Sequence, residues 1–75
     1  MTEQEKLVLL EDAFDMKKGS LSPNIILKTL KRWDSMTFLS LIVLMDEEFD
    51  KRLKPAQLRT FVTVQDILDV MVRDN

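Results

Sequence analysis

Apolar positions recur at three- and four-residue steps in three stretches of the chain, the period of a helix with a buried side. In the first stretch Leu7, Leu10, Ala13 and Phe14 form one stripe, with Val8 off it. Thr2 and Glu5 stand at capping-box spacing, which predicts a helix starting near Glu3. Lys17 and Lys18 suit the negative end of that helix, and Gly19 is its predicted stop. In the last stretch Val64, Ile67, Leu68 and Met71 form a second stripe, opened by another capping pair, Thr63 and Asp66. That helix is predicted to end near Arg73, with Asp66, Asp69 and Arg73 pointing away from the core. Before it, Asp50 to Lys54 is a polar break. Pro55 can take the first position of a short helix reaching about Thr60, with Leu58 and Phe61 buried.

The middle stretch is the most apolar. Asp34 or Ser35 can cap a helix running to about Phe49. At about 100° per residue this helix carries two apolar faces. Phe38, Leu41, Ile42, Met45 and Phe49 share one side, which must be the core. Met36, Leu39 and Val43 lie roughly opposite, beside Ser40, Asp46 and Glu47. A third packing neighbour would account for the second face, and so would a surface for a partner. The long connection from Ser20 to Trp33 contains Pro23, which breaks any helix running into it. Its Ile25, Ile26, Leu27, Leu30 and Trp33 are too apolar for a solvated linker, so several should pin it to the core, with a helical turn or two between Asn24 and Lys31. The sum is an all-α four-helix bundle, with three main helices and one short one, forming a single domain over residues 1–75.

Composition narrows the chemistry. A chain of 75 residues buries only about 60% of its unfolded surface. Apolar residues at 45% and charged residues at 32% are globular rather than disordered values. One Gly, two Pro and no strand-type alternation argue against a β protein. A net charge of -2 without a basic block, and an apolar, acidic middle helix that would repel phosphate, point away from nucleic acid. The absence of Cys and His excludes disulfides and thiolate metal sites, and leaves a serine no imidazole to activate it. A neighbouring Asp34 at a helix start caps rather than abstracts protons, so no catalytic residue is expected and the chain does not read as an enzyme. Asp46-Glu47-Glu48 reads as a solvated acidic face, not a metal site, since hard cations need several converging oxygens. Lys51, Arg52 and Lys54 read as a solvated basic patch. The acidic, polar start Met1 to Glu5 is unlike a signal peptide, and the longest apolar run, Leu41 to Met45, is too short to span a bilayer. The expected compartment is the cytoplasm, without membrane insertion.

At Asp34-Ser35-Met36 the sequence resembles the acyl carrier protein family, whose hallmark is an Asp-Ser-Leu triplet opening the second helix. Met in place of Leu conserves volume. The resemblance continues through Leu39, Leu41, Ile42, Asp46-Glu47-Glu48-Phe49 and Leu53, and resumes at Thr63-Val64-Gln65-Asp66. Met1 to Lys31 matches in helix pattern alone.

The resemblance implies that a phosphopantetheinyl transferase, using coenzyme A and Mg²⁺, attaches 4'-phosphopantetheine to Ser35, with Asp34 supporting. The arm carries acyl or aminoacyl groups as thioesters between a loading enzyme and a downstream acyltransferase or synthase. A phosphate at this helix start would be favoured by free amides and the helix dipole. Met36, Leu39 and Val43 would form the apolar patch that meets partner enzymes, with Asp46 and Glu47 in its acidic rim. The inner face would line the space where some members shelter an acyl chain, made small here by Phe38, Met45 and Phe49. The chain would act as a monomer.

Carriers of fatty acid synthesis are more acidic than this chain. Thr37 and Ser40 are neutral, and Lys51, Arg52, Lys54 and Arg59 basic, where acids are common in that family. Trp33 before Asp-Ser resembles stand-alone carriers of specialised pathways. A specialised discrete carrier is therefore the reading, with a non-catalytic helical adaptor, using the outer face of the middle helix, as the alternative.

Overall fold

The computed structural model describes residues 2–31 and 33–72. Among the described residues four helices follow one another: α1, Glu3–Ala13; α2, Ser35–Phe49; α3, Pro55–Leu58; and α4, Val64–Val70. A 3-10 turn, Leu27–Thr29, interrupts the connection before α2. The fold is all-α, with three longer helices and a short one, as the pattern of apolar positions predicts.

The capping box at Thr2 opens α1. The Thr2 hydroxyl accepts the Glu5 N–H at 3.2 Å, and the Glu5 carboxylate accepts the Thr2 N–H at 3.2 Å. The helix stops at Ala13 rather than at Gly19, so Lys17 and Lys18 lie beyond its end. Phe14 turns into the core and Asp15 takes a left-handed backbone with φ 56°, which Asp tolerates better than most residues. Beyond it the buried Glu11 carboxylate captures the Leu21 N–H at 3.0 Å, folding the connection back under the last turn of α1. Gly19, at φ +85°, serves a separate turn closed by Ser20 N–H to the Lys17 carbonyl.

The connection is held as expected, though not by every residue named. Leu21 and Leu27 are buried, and Ile25, Leu30 and Trp33 are half-buried against the core. Ile26 is 48% exposed. It pairs with Thr63 in an isolated antiparallel bridge, and extended backbone alternates its sides, so Ile26 faces out where Leu27 faces in. Three backbone bonds tie this segment to the approach of α4: Leu27 N–H to Val62, Val64 N–H to Ile25, and Gln65 N–H to Pro23.

The core is built on α2, which packs on α1 and α3, while α1 also meets α4. Leu10, Leu27, Leu41, Met45, Leu58, Val64, Ile67 and Met71 are wholly buried. Ile42 and Phe61, expected inside, are half-buried at its margin. The shorter α3 explains Phe61: the helix closes at Leu58 instead of Thr60, and the chain leaves toward the bridge. At α4 the Asp66 carboxylate accepts the N–H groups of Val62 and Thr63 at 2.8 and 3.1 Å. That helix ends at Val70, with Met71 buried at its cap; Arg73 lies outside the described residues. The radius of gyration, 11.2 Å, equals the roughly 11 Å of a fully compact chain of this length, so the long connection adds no bulk.

Candidate functional site at the start of α2

The structure resolves which of two adjacent residues caps α2. Asp34 has extended backbone, and its Oδ1 accepts the N–H groups of Met36 and Thr37, each at 3.1 Å. Its carbonyl accepts the Phe38 N–H at 2.9 Å. Ser35 is then the first helical residue. It is exposed, and its hydroxyl makes no hydrogen bond among the described residues.

An aromatic pair brackets this cap. Trp33 precedes it, and Phe38 stands at the fourth helical position, the arrangement of a hydrophobic staple. Their ring centroids are 4.7 Å apart at 68°. Trp33 also meets Phe14, just past α1, at 6.1 Å and 73°. Edge-to-face contact is the favoured geometry for such rings.

The two faces of α2 divide as their spacing predicts. Phe38, Leu41, Met45 and Phe49 are buried. Met36, Leu39 and Val43 are exposed at 79%, 64% and 47%. A third packing neighbour is therefore not what occupies the outer face. Asp46 and Glu47 are exposed beside it, and Ser40 lies among these residues with its hydroxyl on the Met36 carbonyl at 3.4 Å. Thr37 is buried, so its neutrality does not alter the outer surface. Arg52, Lys54 and Arg59 are exposed, and Lys51 is half-buried.

Between α1 and α2 runs an open groove of about 440 Å³, lined by Leu9, Asp12 and Ala13 from α1 and by Leu39, Ser40, Val43, Leu44 and Glu47 from α2. A smaller hollow of about 200 Å³, lined by Phe14, Asp15, Met36 and Thr37, shares Ala13 and Ser40 with it near Ser35. Among the described residues, no group of three or more acidic side chains is placed to hold a metal, and no helix is long and apolar enough to cross a membrane.

Glu11 and Leu21 escape a reading by composition alone, and so does Thr37. Glu11 was visible in the periodicity, since Leu7, Leu10, Glu11 and Phe14 make an unbroken helical stripe that places a carboxylate among apolar residues. Thr37 stands four residues before Leu41 on the inner face.

Chemically, the start of α2 offers one accessible hydroxyl next to a carboxylate. Of the free amides expected there, the Ser35 N–H has no partner among the described residues, but the next two are taken. The N–H groups of Met36 and Thr37 are already occupied by Asp34, so an anion joined to Ser35 has no cradle on them. Comparison with known protein families, curated proteins and solved structures finds no match to this chain.

Proposed function

We propose that this chain is an acyl carrier protein modified at Ser35. The observation that carries the reading is an exposed, unbonded serine hydroxyl at the first position of a 15-residue helix, within Asp34-Ser35-Met36, next to exposed Met36, Leu39 and Val43. The residues fit attachment of 4'-phosphopantetheine at Ser35 Oγ, since nothing in the described chain covers or engages that atom. When bound, the arm supplies the thiol that the chain lacks, on which acyl or aminoacyl groups form thioesters. Asp34 fixes the backbone that presents Ser35, and its Oδ2, free of hydrogen bonds among the described residues, can orient a transferase-bound metal or the serine hydroxyl.

Met36, Leu39 and Val43, rimmed by Asp46 and Glu47, would receive the transferase, the loading enzyme and the downstream acyltransferase or synthase in turn. The chain performs no catalysis of its own in this reading. Exposed Ser40, Arg52, Lys54 and Arg59 favour a specialised pathway over primary fatty acid synthesis, because charge complementarity decides partner choice more than raw affinity. The proposed setting is a cytoplasmic monomer.

The test is intact mass after incubation with coenzyme A, Mg²⁺ and a broad-specificity phosphopantetheinyl transferase. A gain of one phosphopantetheinyl group, absent in Ser35→Ala, is expected. No gain with several transferases would overturn the proposal and leave an adaptor that binds through Met36, Leu39 and Val43.

A further inference from the structure

Resting on the carrier reading, we infer that Trp33 is a positioning residue for the modification of Ser35. Ser35 lies between the cap formed by Asp34 and the outer face of α2, and its own side chain is held by nothing described. Where its Oγ stands is therefore decided by the path of the backbone through Asp34.

That path has two constraints. One is the Asp34 carboxylate on the Met36 and Thr37 amides. The other is the Trp33 ring, in edge-to-face contact with both Phe38 at 4.7 Å and Phe14 at 6.1 Å. A staple of this kind sets the angle at which the chain enters a helix. Here it also refers that angle to the end of α1, so the hydroxyl is positioned against two helices rather than one.

Loss of the ring frees the entry angle while leaving the outer apolar face intact. The cost should fall on the placement of Oγ in the transfer step, not on docking. Misplacing a reacting atom by about 1 Å costs up to roughly a hundredfold in rate.

The experiment compares Trp33→Ala, Trp33→Phe and, as a core truncation elsewhere, Leu58→Ala, each as substrate for a phosphopantetheinyl transferase with coenzyme A and Mg²⁺, well below its melting temperature. For Trp33→Ala the expected result is a kcat lower by about ten- to a hundredfold with KM within about threefold. Faster amide exchange at Met36 and Thr37 should accompany it, and Trp33→Phe should restore most of both. A wild-type kcat for Trp33→Ala, unchanged exchange at those amides, or an equal loss of kcat for Leu58→Ala would each overturn the role. A wild-type chain that accepts no arm would instead overturn the carrier reading, and this role with it.

Discussion

The carboxylate of Glu11, 2% exposed, accepts the main-chain N–H of Leu21 at 3.0 Å across the turn that ends α1. This bond joins the helix to a connection that has no helix of its own there, and Leu21 is buried beside it. Deleting the acceptor leaves a buried donor unpaired, whereas an amide in its place still accepts.

Glu11→Ala should therefore destabilise the chain by about 1–3 kcal/mol, and Glu11→Gln by distinctly less. Urea unfolding of the two variants measures the difference. Equal stability of Glu11→Ala and the wild type would mean that the bond contributes nothing net.

The division of labour at α2 makes a second prediction. Asp34→Ala should cost about 1 kcal/mol as a lost cap, a fall in Tm of roughly 4–8 °C for a domain of this size. Ser35→Ala should stay within about 0.5 kcal/mol of wild type, because Ser35 is exposed and caps nothing. Thermal melts of both decide it; a larger loss in Ser35→Ala than in Asp34→Ala would reverse the assignment.

The extent to which these features are legible in the sequence follows from how local their causes are. Helix α2 and its two faces read directly, because Leu41, Met45 and Phe49 repeat at the helical period and Asp34-Ser35 marks the start. Which of the two residues caps did not read: both are good caps, and the register differs by one position. The end of α1 misled for another reason. Lys17, Lys18 and Gly19 are strong local stop signals, but the turn is set by Glu11 reaching Leu21, a tertiary bond. Ile26 faces outward because of a pairing with Thr63 that no local pattern announces. The outer face of Met36, Leu39 and Val43 could be placed by spacing, while its exposure depended on whether any other helix covered it.

A third prediction concerns pH. The N–H groups of Val62 and Thr63 hold the Asp66 carboxyl below its ordinary value of 3.8, with the Val62 bond the larger cause. A folded pKa below the unfolded one stabilises the fold above the unfolded value and is lost as pH falls through the folded value. Melting temperature should thus decline as the solution is acidified below about pH 4, and Asp66→Asn should flatten part of that decline. Glu5, held below 4.5 by the Thr2 N–H and then the Thr2 hydroxyl, adds to the same window. Parallel pH profiles for wild type and Asp66→Asn would show that Asp66 has no share in it.

The occupation of the Met36 and Thr37 amides by Asp34 has a consequence for anything joined to Ser35. Such a group would find no anchor on those two amides, and beyond the helix end it would run as a tether free at one end. A short flexible tether offers its tip to a bound neighbour at an effective concentration on the order of millimolar, set by reach rather than by affinity. An enzyme seated one turn further along α2 would meet the same tip at a different effective concentration, with no bond at Ser35 altered.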